Sequence, residues 1–102
     1  MAEIIWTEPA LADLDAIAGY IALDKPGAAR QFVRRIMARV DQLAAFPESG
    51  AKPCELESTR YRQLTIPPVL LFYRVEAGRV YIVYVMRGER RFQPGNLSQR
   101  ER

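Results

Sequence analysis

Arginine carries most of the chemistry available to this chain. Thirteen of its fifteen basic residues are arginine, histidine is absent, and Cys54 is the single cysteine. Without histidine there is no Ser-His-Asp or Cys-His catalysis, and the default general base near neutral pH is missing. Proton transfer would fall to Glu, Asp, Tyr or a perturbed Lys. Arginine stays protonated but grips phosphates and carboxylates well. The residue set therefore suits recognition and charge stabilisation better than acid–base turnover, and no enzyme activity, metal or cofactor is expected. Cys54 reads as a small loop residue in a reducing, cytoplasmic setting.

These arginines are unevenly placed. Residues 1–58 carry nine acids and six bases (net −3), whereas residues 59–102 carry three acids and nine bases (net +6). The split implies an acidic partner for the C-terminal half, against the plainer alternative of a solvated basic rim. No apolar run approaches a bilayer crossing, and no basic segment leads into an apolar stretch at the N-terminus, so neither membrane insertion nor export is expected.

The elements that must position the arginines can be read in order. Residues 2–6 form a short strand. Thr7 is the N-cap of a helix with Pro9 in its first turn, and Leu11, Leu14, Ile17, Ala18 and Ile21 recur at helical spacing with Asp13 and Asp15 directed outward. After Asp24-Lys25-Pro26-Gly27, a second helix from about Ala28 to Phe46 carries Phe32, Val33, Ile36, Met37, Val40, Leu43 and Ala44 on one face. The short connection makes the two an antiparallel hairpin. A loop over 47–58 leads to strands at Arg60–Ile66, Val69–Val75 and Val80–Met86, separated by Pro67-Pro68 and by the turn Glu76-Ala77-Gly78-Arg79. The tail Phe92–Arg102 reads as irregular and mobile until bound.

The last strand is apolar on both sides. Strict alternation puts Val80, Ile82, Tyr84 and Met86 on one face and Tyr81, Val83 and Val85 on the other. One face packs on the helices; the tail, a loop or a partner protein covers the second. The order β-α-α-β-β-β gives a single α+β domain over 1–102, a two-helix hairpin on a small, mainly antiparallel sheet.

Three segments carry a resemblance: Leu11–Ile17 after a proline-started helix, Leu71-Phe72-Tyr73-Arg74-Val75, and the exit Val85-Met86-Arg87-Gly88-Glu89-Arg90-Arg91. Together they resemble the RelE/ParE superfamily of type II toxin–antitoxin systems over nearly the whole chain. RelE-type members cleave messenger RNA on the ribosome with converging basic residues and a C-terminal tyrosine. Here Arg62 matches the first basic position, but Leu64 and Leu70 stand at two others, Glu89 precedes Arg90 and Arg91, and no tyrosine follows Tyr84. ParE-type members instead act on DNA gyrase and trap it on cleaved DNA. The exit segment is similar to theirs, with Arg87 where histidine is common and Glu89 interrupting the arginine pair.

The ParE-like reading implies that Arg87, Arg90 and Arg91, with Arg62 and Arg74, engage gyrase. It also implies a cognate antitoxin, often in a heterotetramer, whose acidic C-terminal segment folds along Tyr81, Val83 and Val85. The toxin alone is not expected to bind nucleic acid or membrane. A RelE-type endoribonuclease and a non-toxic antitoxin-binding relic remain the alternatives.

Overall fold

The computed structural model describes residues 1–52, 60–88 and 95–101. Cys54, Glu89, Arg90, Arg91 and the first part of the tail lie outside the described residues. The order is β1 (Glu3–Trp6), α1 (Glu8–Asp24), α2 (Pro26–Ala45), β2 (Tyr61–Ile66), β3 (Val69–Glu76), β4 (Arg79–Arg87) and α3 (Gly95–Arg100). The sheet runs β1-β4-β3-β2, with β1 parallel to β4 and the other pairs antiparallel. This is the α+β layering expected, with the hairpin on one side of a four-stranded sheet.

Local chemistry explains the boundaries. The Thr7 hydroxyl accepts from the Ala10 N–H at 3.4 Å and donates to the Ile82 carbonyl at 2.8 Å, so one side chain caps α1 and ties it to β4. Lys25 alone separates the helices, and Pro26 opens α2 where a missing N–H costs nothing. That proline starts α2 earlier than the Ala28 expected. Ala77 (φ 51°) and Gly78 (φ 75°) form a two-residue turn between Glu76 and Arg79. Positive φ at both positions matches the twist of the strands it joins.

Two apolar layers flank the sheet. On the helix side, Leu14, Phe32, Ile36, Val40 and Leu43 meet Leu71, Tyr73, Val80, Ile82 and Val85. On the other side Tyr61, Phe72, Val83 and Met86 close around Leu97 of α3. The tail is therefore not irregular over its described part: Gly95–Arg100 is helical and Leu97 is 1% exposed. Apolar area on the second sheet face is what makes this short helix dock.

Strict alternation fails on β4 for an identifiable reason. Phe72 pairs with Tyr84 while Tyr73 pairs with Ile82, so Val83 is an extra residue, a β-bulge. Beyond it the faces exchange. Val85 joins Val80 and Ile82 under the helices, while Tyr84 and Met86 share the second face with Tyr81 and Val83.

The segment after α2 is pinned by Tyr73. Its hydroxyl donates to the Pro47 carbonyl at 2.8 Å and accepts from the Gly50 N–H at 2.8 Å. A Cβ at Gly50 would sit 2.6 Å from that hydroxyl and 2.9 Å from the Gln63 carbonyl, so only glycine lets the backbone approach. Ala51 and Gln63 then exchange both backbone bonds, at 2.9 and 2.7 Å.

Tyr73→Phe leaves two loop groups without this partner and should cost about 1–3 kcal/mol in urea unfolding. Burial holds the Tyr73 hydroxyl above its usual 10.0. The folded protein thus keeps a proton that the unfolded chain surrenders. Its stability contribution is complete below pH 10.0 and drains away as pH climbs through the folded-state value. Unfolding midpoints measured against pH should show this alkaline loss, and Tyr73→Phe should reduce it.

Candidate functional site

β4 loses its parallel neighbour halfway along. The β1 register ends at Trp6 opposite Ile82, which leaves Val83 to Arg87 with an open edge on that side. Buried backbone polar groups need partners, and side chains supply them here. From α1, the Asp13 carboxylate accepts from the Val85 N–H at 3.0 Å. From α3, Arg100 Nε donates to the Val83 carbonyl at 3.1 Å, and its Nη2 donates to the same Asp13 oxygen. The Arg100 guanidinium also lies 4.0 Å from the Tyr84 ring centre. Asp13, read as outward-facing, is instead the joint between α1, β4 and α3.

This joint borders a cleft of about 250 Å³ whose walls include Ile17, Tyr84, Arg87 and Arg100. Arg87, the last residue of β4, lies 5.2 Å from the ring centre of Tyr20 on α1. It is the one arginine of the expected β4 exit within the described residues; Arg90 and Arg91 lie beyond them.

Arg62 and Arg74 are placed elsewhere. Arg62 Nη1 donates to the carbonyls of Glu48 at 3.1 Å and Gly50 at 3.0 Å. Arg74 Nε reaches both Glu101 oxygens at 2.9 and 2.8 Å, its Nη1 meets Glu76 at 2.6 Å, and its guanidinium lies 4.0 Å from the Tyr81 ring centre. Register also separates them from the exit: Arg62 lies opposite Tyr73, and Arg87 lies opposite Val69. Both act as braces in this structure.

The three apolar residues expected to meet a partner do not share a face. Tyr81 is half-buried beneath Arg74, Val83 is enclosed on the α3 side, and Val85 is enclosed on the hairpin side. A surface that sequence reasoning missed lies on the hairpin's outer side. A shallow groove of about 540 Å³ there is lined by Ala18, Gly19, Ala22 and Val33 and edged by Arg30 and Arg34, and Tyr20 and Leu23, 64% and 85% exposed, line a separate hollow with Asp24 and Lys25. The signal was available: α1 carries apolar or small residues around its whole circumference, more than one buried stripe requires.

Among the described residues no helix is long and apolar enough to cross a membrane, and no group of three His, Cys, Asp or Glu could hold a metal ion.

Removing Asp13 takes the acceptor from the Val85 N–H and the carboxylate partner from Arg100, so Asp13→Ala should cost about 1–3 kcal/mol. Arg100→Ala added to Asp13→Ala should cost less than it does alone, by about 0.5 kcal/mol or more in a double-mutant cycle. Strict additivity would show that the two side chains act independently.

Comparison with known proteins agrees with this architecture. Residues 4–92 match the family described as ParE toxin of type II toxin-antitoxin system, parDE. Toxin RelE2 of Caulobacter vibrioides is 38% identical over 91 residues, which cover 88% of this chain and 99% of that protein. A solved structure of the chromosomal ParDE TA system from P. aeruginosa aligns with a TM-score of 0.74 at 29% identity, covering 87% of this chain and 98% of that one. With β1 feeding a capped helix hairpin, a four-stranded sheet and a basic β4 exit, the chain belongs to the ParE toxin family of type II toxin–antitoxin systems.

Proposed function

We propose that this toxin inhibits DNA gyrase by trapping it on cleaved DNA, and that Arg87, Arg90 and Arg91 at the β4 exit form the engaging surface. One observation carries the reading: the cations a ribonuclease would aim at a single phosphate are occupied or replaced. Arg62 is bonded to loop carbonyls and Arg74 to Glu101 and Glu76, while Leu64 and Leu70 occupy two further positions of the RelE pattern. Stabilising a pentacoordinate phosphate needs several cations converging on it and a group that moves a proton. A non-enzymatic inhibitor needs no proton-moving group of its own, and a charged contact surface supplies specificity and fast association.

The name of the Caulobacter relative, Toxin RelE2, keeps ribosome-dependent cleavage of messenger RNA as the second reading. The two separate in vitro. Purified toxin should block supercoiling of relaxed plasmid by gyrase and accumulate cleaved DNA after denaturant trapping. Alanine at Arg87, Arg90 and Arg91 together should weaken inhibition by about 100-fold or more, as expected when several interfacial charges are lost. Normal supercoiling at large toxin excess, with cleavage of ribosome-bound message, would replace this reading with the second.

The toxin is neutralised in this proposal by an antitoxin segment seated in the outer groove of the hairpin. Tyr81 and Val83 lie on the sheet face that α3 covers, and Val85 lies under the hairpin. The groove has an apolar floor of small residues, and Arg30 and Arg34 edge it, which suits an amphipathic helix with an acidic flank. A Cβ at Gly19, which lines the groove, would meet nothing within 4 Å, so a side chain can leave the helix there into open space. Gly19→Trp should weaken antitoxin binding by about 100-fold or more in calorimetry at unchanged thermal stability. Undiminished affinity would place the antitoxin elsewhere.

A further inference from the structure

Helix α3 covers an aromatic face with little apolar surface of its own. Leu97 is its described apolar anchor. The remaining described contacts are polar and lie at its C-terminal end. Glu101, just past the helix, accepts from the Tyr61 hydroxyl at 2.6 Å and from Arg74 Nε at 2.9 and 2.8 Å, with Arg60 at 3.6 Å. Arg100 bonds Asp13 and the Val83 carbonyl and lies against Tyr84. Side-chain exposure is 12% for Glu101 and 14% for Arg74, so this pair is well shielded from water and from salt. The Arg60–Glu101 pair, with Arg60 at 57%, is open to both.

The grip has a second end. Arg100 holds the Val83 carbonyl at the bulge, and Asp13 holds the Val85 N–H two residues before Arg87. Anything that keeps α3 seated therefore fixes the path of the strand exit. We propose that α3 is an ionic strap and that Glu101 is a positioning residue: by anchoring the strap on Tyr61 and Arg74, it holds Arg100 on β4 and so fixes the geometry with which Arg87 is presented. The link to Arg87 as a target contact rests on the proposed gyrase reading; the strap itself does not.

The chemistry makes this separable from ordinary packing. A strap held by packing is indifferent to which end of an ion pair sits on which element. One held by charge loosens when either partner is reversed and recovers when both are. Amide hydrogen exchange on the full-length protein reads this directly. Glu101→Arg should speed exchange of the α3 amides by about tenfold or more, and Arg74→Glu should do the same. The double variant Arg74→Glu with Glu101→Arg should recover at least about half of that loss on a logarithmic scale.

Unchanged α3 exchange in both single variants, or no recovery in the double variant, would each overturn the strap. Gyrase inhibition is measured on the same four proteins. If it falls with the single variants and returns with the double, Glu101 positions the target surface. If α3 loosens and tightens as expected while inhibition stays constant, the positioning role is wrong and the strap stands. If the unaltered protein does not inhibit gyrase, the functional reading fails and the exchange results still decide the strap.

Discussion

A central strand that is apolar on both faces has to be covered on both, and the rest of this structure answers that requirement. β4 lies between β1 and β3, with the helix hairpin over Val80, Ile82 and Val85 and α3 over Val83 and Met86. Burying a side chain of that size is worth about 1.5–3 kcal/mol, so leaving either face open would forfeit several such contributions. The hairpin comes from the N-terminal half and the covering helix from the extreme C-terminus. Elements that precede the sheet strands β2–β4 and an element that follows them are thus committed to one strand.

Charge is used in two ways that composition alone does not separate. Arg62, Arg74 and Arg100 each satisfy carbonyls or carboxylates inside the molecule. Such charge-assisted bonds are strong where water is excluded, and they substitute for apolar area that a domain of this size has in short supply. Arg30 and Arg34 edge an open groove and Arg87 stands at the strand exit, and it is these that the proposed function assigns to recognition. The net positive C-terminal half is therefore partly scaffold, and only a subset of its arginines can meet a partner without dismantling the fold.

Most of the fold was legible because its causes are local. Thr7 with Pro9, the proline at the start of α2, Pro67-Pro68 and the turn at Ala77-Gly78 punctuate the chain where the structure does, and the family resemblance implied the same layered fold. The misses have non-local causes. Nothing in the run Tyr81–Met86 marks Val83 as an extra residue, since the bulge exists only relative to β3. Asp13 sits at a position where an aspartate usually faces solvent, and its partners Val85 and Arg100 lie 72 and 87 residues away. The same distance hides α3, a short polar segment that is held by residues of α1, β2 and β3. Of the candidate site, the exit arginines were readable as a cluster, but the division between braces and contacts was not.

The parallel pairing of the first strand with the last has a consequence for how the molecule comes into being. Glu3 must find Arg79, and Thr7 must find the Ile82 carbonyl, before α1 is fully anchored. Closing a loop of about 75 residues carries an entropic cost of roughly 4 kcal/mol, which only the completed sheet repays. A chain emerging from the ribosome can form its helix hairpin and the β2–β3 pair early, but β1 has no partner until β4 is out. The strand that carries Arg87 is also the strand that closes the fold. Products of synthesis that stop short of β4 therefore cannot display its exit, and that surface comes into existence only with the last strand of the sheet.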